Sequence, residues 1–199
     1  MKINSAFVSV VSVGVALLIN GCSSVPEESD QPKPSYPAVQ AGQVMAGKVI
    51  GVIDGATLKI LTSSNVDFRV RLAEIDVPEK YQAFWDKAKN ALADKTTGKE
   101  VTLRVVRQDP YGGIDAFVYI GQRGINMEMV AEGWAWRAQY SRISELAQVE
   151  NEARKKRVGL WVDENPMPPW EYRNQRMNPP EEHGRNDGRN IQPLFKVQW

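Results

Sequence analysis

The chain alternates apolar and polar positions before it turns helical. Lys48 to Ile53, Thr57 to Leu61 and Phe68 to Leu72 are rich in β-branched and aromatic residues and bounded by Gly, Ser and Asn, which predicts three strands. In the third, Phe68, Val70 and Leu72 share one face while Arg69 and Arg71 share the other, the pattern of a half-buried strand. The period then changes. Phe84, Ala88, Ala91 and Leu92 fall at i, i+4, i+7 and i+8, one stripe of an amphipathic helix. Val101 to Val106 and Ile114 to Ile120 return to strand, separated by the turn Asp109-Pro110-Tyr111-Gly112-Gly113. Helices are predicted from about Asn126 to Glu132 and from Ser144 to Val158. The second has Ser144 at its N-cap, Glu145 in its first turn, Lys155-Lys156-Arg157 in its last and Gly159 as its stop.

Three strands, a helix, two strands and closing helices are the order of a five-stranded Greek-key barrel of the OB type, mainly β with α. Proline sets the limits of this unit: four of the 12 lie in residues 26–37 and six in 166–193, leaving Pro78 and Pro110 for the middle. The organisation read from this is a leader over 1–21, a Pro-rich solvated spacer over 22–44, a globular unit over 45–162 and a Pro-rich polar tail over 163–199. The tail is expected to be mostly without structure, apart from the apolar stretch Ile191 to Trp199, which could dock on its own domain or on a partner strand.

One Cys and one His, in 199 residues, exclude an intrachain disulfide, a Cys-rich zinc site and any multi-His metal site, and the placement of that His, His183, among charged and Gly residues speaks against a His-based triad. Chemistry must therefore come from carboxylates, arginines and backbone. The globular unit holds 18 basic and 15 acidic residues, compatible with phosphate binding but no strong nucleic-acid footprint. The tryptophans Trp134, Trp136 and Trp161, with Phe84, are expected as packing residues and not as a base-stacking platform.

The leader carries Lys2 and then an apolar run from Ala6 to Ile19, short for a membrane span and fitting a secretory signal. Leu18-Ile19-Asn20-Gly21-Cys22 resembles the lipobox of bacterial lipoproteins, with Asn20 atypical for its position. The resemblance implies cleavage before Cys22, lipid on that residue and membrane attachment through it. Ser23, in place of Asp, points by the same resemblance to the outer membrane of a Gram-negative cell.

Within the globular unit, Val52-Ile53-Asp54-Gly55-Ala56-Thr57, Arg71-Leu72-Ala73-Glu74-Ile75-Asp76-Val77-Pro78-Glu79, Asp109-Pro110-Tyr111-Gly112-Gly113, Gly133-Trp134-Ala135 and Gly159-Leu160-Trp161 occur in an order and spacing that resemble the staphylococcal nuclease family. Pro168-Pro169-Trp170 resembles the tail of many bacterial members. The resemblance implies an OB-fold and a calcium-dependent phosphodiesterase site acting on DNA and RNA. It implies that Asp76 is a calcium ligand, Val77 the donor of a backbone carbonyl to the ion, Glu79 the general base, Arg71 a phosphate-binding Arg and Asp54 a carboxylate behind the metal. Calcium prefers oxygen ligands, and guanidinium groups suit the charge that develops on a transferring phosphate.

Two family groups are absent. The motif Asp-Gly-Asp-Thr reads Asp54-Gly55-Ala56-Thr57 here, so a direct calcium ligand is a methyl; the turn Tyr-Gly-Arg reads Tyr111-Gly112-Gly113, so the second phosphate clamp is missing. Asp115, two residues on in the strand, is expected on the same face as position 113, where a carboxylate would repel phosphate. Glu74 is the nearest candidate for a displaced ligand. The sequence leaves three readings open: a binding or structural module of an envelope assembly with a degenerate site, a calcium-dependent nuclease, and a nucleic-acid binder without cleavage. In the first, Arg71, Asp76 and Glu79 become an ion-pair network that supports the turn fixed by Pro78.

Overall fold

The structure, a computed structural model, describes residues 36–178. The leader, Cys22, the first part of the spacer and the end from Ile191 to Trp199 lie outside the described residues.

Five strands close a barrel. β1 (Val44–Asp54), β2 (Thr57–Leu61) and β3 (Asp67–Leu72) form an antiparallel meander, α1 (Trp85–Thr96) follows, and β5 (Glu100–Gln108) and β6 (Ile114–Ile120) make a second hairpin. β1 pairs with β5 through its first half and with β2 through its second, bending across two register shifts. Closure comes from a parallel pairing of β3 with β6, Val70 opposite Ile114 and Leu72 opposite Ala116. This is the OB-type barrel expected from the order of elements.

β1 starts four residues before the predicted strand, because Val44 to Gly47 pair with β5 and not with β2. Gly47 sits where those two pairings cross: a Cβ there would lie 2.6 Å from the Ile60 side chain and 2.8 Å from the Leu61 carbonyl oxygen. The last residues of the spacer also depart from the solvated reading. Val39 N–H donates to Gln108 Oε1 (2.9 Å), Gly42 N–H donates to the Val105 carbonyl (2.8 Å), and the segment lies against β5.

The alternation in β3 is realised as read, with Phe68, Val70 and Leu72 buried and Arg69 and Arg71 exposed. These meet Leu58, Ile60, Leu103, Ile114 and Val118 in one core, against which α1 packs Leu92. α2 (Ile125–Ala131) adds Ile125 and Met129. Its buried Asn126 donates Nδ2–H to the carbonyls of Ala73 (2.9 Å) and Ala116 (3.2 Å) and accepts from Val118 N–H (2.9 Å). With its capacity used on three backbone groups, this amide fixes the exit of β3 and hence everything that follows it.

A second, smaller apolar cluster joins Trp136 and Trp161, their rings 5.7 Å apart and edge to face, with Leu160 and Ala153 of α3 (Ser144–Lys156). Trp136 and Trp161 are packing residues, as expected. Two glycines let the backbones meet here: Gly133 at φ 75° and Gly159 at φ 59° lie so close that a Cβ on either would sit 2.3 Å from a carbonyl oxygen of the other's segment. That contact accounts for two of the five strings quoted above. α3 differs from its prediction at both ends. Ile143 is the N-cap and Ser144 the first helical residue, and the stop is Arg157 in the left-handed conformation (φ 54°), two residues before Gly159.

The largest departure is in the tail. A 3₁₀ turn over Gly159–Val162 leads through residues 163–168 into a further helix, α4 (Pro169–Met177), which begins on proline. Pro169 is buried and Trp170 packs against the Trp136–Trp161 cluster. Apolar area under Pro169 and Trp170 is what residues 163–178 bury, and a reading from net polarity overlooks two residues in such a run.

Candidate functional site

The site lies at the end of β3, where the β1–β2 hairpin, the loop after β3 and α4 converge. Asp54 and Thr57 are paired across a two-residue turn, Gly55-Ala56, and Asp54 Oδ1 accepts the Ala56 N–H at 2.8 Å. Asp54 therefore serves the turn. Gly55 is required by crowding: its Cβ would lie 2.9 Å from the Ala88 Cβ on α1 and 3.3 Å from the Val77 Cβ. Ala56 is 2 % exposed and its carbonyl accepts the Leu72 N–H at 2.8 Å.

After β3 the chain turns at Glu74, whose φ of 65° is a left-handed conformation costly for a residue with a Cβ. The turn sets up a short strand, β4 (Ile75–Asp76), paired with β8 (Trp136–Arg137), Asp76 opposite Trp136. Between β6 and α2 a further short strand, β7 (Arg123–Gly124), extends the sheet beyond β6. β4 and β8 carry no period that a sequence could show, yet they hold Asp76 in place with a side chain only 10 % exposed. Glu74 does not line the cavity beside Asp76.

That cavity, about 300 Å³, is lined by Asp54, Ala56, Arg71, Asp76, Val77 and Glu79 among others. Of the family positions, Asp54, Ala56, Arg71, Asp76, Val77 and Glu79 thus come together, whereas Gly113 and the candidate Glu74 lie off the cavity. Arg71 Nη2 donates to Asp76 Oδ1 at 3.1 Å, and Val77 N–H donates to the same oxygen at 3.2 Å. A further charged group, absent from the residues predicted for the site, completes the arrangement. Arg173, in the middle of α4, donates from Nη2 to Asp76 Oδ2 (2.7 Å) and from Nη1 to Glu79 Oε1 (2.5 Å). Its hydrogen bond to Asp76, and then that to Glu79, push the guanidinium above its ordinary pKa, against the opposing effect of burial. Gln82 ties the same loop to the tail, accepting the Glu79 N–H (2.9 Å) and donating to the Met167 carbonyl (2.5 Å).

Gly113 stands apart in the turn between β5 and β6. Asp109 Oδ1 accepts the N–H groups of Tyr111 (2.7 Å) and Gly113 (2.9 Å), and a Cβ at 113 would come within 2.3 Å of Asp109 Oδ2. The carboxylate of Asp109 thus fills the space that an Arg stem at 113 would need. Asp115 is not free to repel a phosphate as expected: its Oδ2 accepts from Arg107 Nε at 2.6 Å.

Calcium takes about 6 to 8 oxygens at about 2.3–2.6 Å. The residues present do not fit it. Ala56 offers a methyl where a carboxylate is needed, Asp76 and Glu79 already share a guanidinium, and among the described residues no three acidic, His or Cys side chains gather as a metal site.

The model of the family described as "Staphylococcal nuclease homologue" matches residues 69–163. The chain is 43 % identical over 129 residues to an uncharacterized endonuclease of Haemophilus influenzae, covering 64 % of this chain and 72 % of that protein. It is 37 % identical over 153 residues to the micrococcal nuclease of Shigella flexneri (71 % and 87 %) and 35 % identical over 146 residues to Protein ParB of Escherichia coli (67 % and 82 %). With the barrel, the hairpin turn and the Arg71–Asp76–Glu79 arrangement in place, the chain belongs to the staphylococcal nuclease family.

Proposed function

We propose that the protein is a binding module of the staphylococcal nuclease family without the family's calcium-dependent hydrolysis, held at the outer membrane by lipid on Cys22 as part of an envelope assembly. The observation that carries this reading is the pair of substitutions seen in their surroundings: Ala56 is buried against the cavity, and Gly113 lies under the carboxylate of Asp109. The missing Arg at 113 is a group of a kind that contributes about 10²- to 10⁵-fold to phosphoryl transfer, and the missing metal ligand at 56 adds to that loss.

The ligand best suited to what is left is the phosphate backbone of a nucleic acid. Lys59 and Arg69 face each other across β2 and β3 on the exposed side, with Arg71 two residues on. Like charges directly opposite one another on a sheet destabilise it; Asp109 Oδ2, 3.7 Å from Arg69 Nη2, offsets this in part, and a bound polyanion would offset it further. Arg71 uses one N–H on Asp76 and is half exposed, leaving donors for a phosphate oxygen. Binding of a fluorescent oligonucleotide should therefore be indifferent to sequence and to calcium, fall steeply with salt, and weaken in Arg71→Ala and in Lys59→Ala/Arg69→Ala. Binding that ignores salt and these substitutions would move the ligand to an envelope protein.

Calcium-dependent cleavage of DNA and RNA is the competing reading, favoured by relatives named as nucleases at 37–43 % identity. For the tether, Cys22→Ser should shift the protein from the membrane fraction to a soluble or unprocessed form. Unchanged fractionation would refute lipidation at this residue.

A further inference from the structure

The Arg173 guanidinium bridges two carboxylates, Asp76, which the family resemblance makes a calcium ligand, and Glu79, which it makes the general base, and it reaches them across 97 and 94 residues of chain. This is not a loose surface pair. Asp76 is nearly buried, Arg173 donates to both of its oxygens (2.7 and 3.5 Å), and α4 is seated independently by Trp170 on the tryptophan cluster and by Gln82 on the Met167 carbonyl. A single carboxylate, with Arg71 on Oδ1 and Arg173 on Oδ2, has little left to offer a metal.

We infer that Arg173 is the resident cation of this site: an internal guanidinium that takes the place of calcium, neutralises Asp76 and Glu79, and makes α4 an integral part of the site. A planar guanidinium needs only two or three carboxylate oxygens in its plane, which Asp76 and Glu79 supply without a contribution from position 56, whereas calcium needs more oxygens arranged around it. The absence of a carboxylate at Ala56 and the contact of Arg173 with Asp76 and Glu79 are then two parts of one cation arrangement. The inference rests on the non-hydrolytic reading only in taking the calcium site as lost, and its test reads cation binding and the docking of α4, so either can fail alone.

The test uses the full chain with calcium chloride as probe. Calcium affinity is measured by calorimetry for Ala56→Asp and for Ala56→Asp/Arg173→Gln, and α4 protection is followed by hydrogen exchange in the unaltered protein, Arg173→Gln and Arg173→Lys, each first shown to be folded by circular dichroism. With Arg173 as competitor, the double variant should bind calcium about tenfold or more tightly than Ala56→Asp. In Arg173→Gln the amides of α4 should exchange faster, while Arg173→Lys, which keeps the charge, should restore most of the protection. Equal calcium affinity in the two Ala56→Asp backgrounds would overturn the inference. So would α4 exchange unchanged by Arg173→Gln, or lost as fully in Arg173→Lys as in Arg173→Gln.

Discussion

Ala56→Asp, Gly113→Arg and Arg173→Gln combined should raise calcium-dependent nuclease activity by at least about 10²-fold over the unaltered protein. The three changes address three separate obstacles. Asp at 56 would point from the hairpin turn into the cavity that already holds Asp76, Val77 and Glu79, supplying the second acidic ligand. Removing the Arg173 guanidinium frees both carboxylates, and Gln keeps polar contact with the loop. Arg at 113 returns the second positive charge; the Asp109 carboxylate must swing aside for its Cβ, and as the end of a short side chain it can do so once it releases the N–H groups of Tyr111 and Gly113. Gly113 is not among the positive-φ glycines, so backbone conformation does not forbid the change. Because the groups act as a unit, Ala56→Asp with Gly113→Arg but with Arg173 retained should recover little, and each single variant less. A folded triple variant that binds calcium and still shows only background cleavage would mean that the site differs from the family's beyond these three positions.

Val70→Asp should abolish the fold. Val70 is fully buried on β3, the strand that pairs antiparallel with β2 through Leu58 and parallel with β6 through Ile114. A carboxylate there has no cation within the core, so it costs several kcal/mol whether it stays charged or takes up a proton. Against a total stability of about 5–15 kcal/mol this is enough to open the barrel at its closing pair. The neighbouring Arg71→Ala, whose side chain is half exposed, should by contrast leave the circular dichroism melt within a few degrees of the parent. A parent-like melt for Val70→Asp would show that the facing of β3 is wrong.

The barrel strands were legible because a sheet with one buried face writes period 2 into its sequence, and Phe68 to Leu72 does so without a break. The site was legible in its acids, since Asp76 and Glu79 fall in one short run beside Arg71. What holds them was not. β4 and β8 are two residues each, too short for any period, and their pairing joins positions 75–76 to 136–137. α4 has weak amphipathicity and is anchored by Pro169, Trp170 and one charged side chain, so a run of polar residues and prolines hid it. Pro168-Pro169-Trp170 was the available signal: proline at the first helical position followed by an aromatic is a helix start with something to bury. Nothing local marks Arg173, whose partners lie almost a hundred residues away.

The non-hydrolytic account is tested most directly by incubating the unaltered protein with single-stranded DNA and RNA in millimolar calcium and, in parallel, in excess chelator. The account predicts background cleavage in both, with binding retained in both. Brisk cleavage that requires calcium and is abolished by Glu79→Gln or Arg71→Ala would contradict it, because a ligand other than position 56 would then be holding the ion and Arg173 would have to leave the site for every turnover.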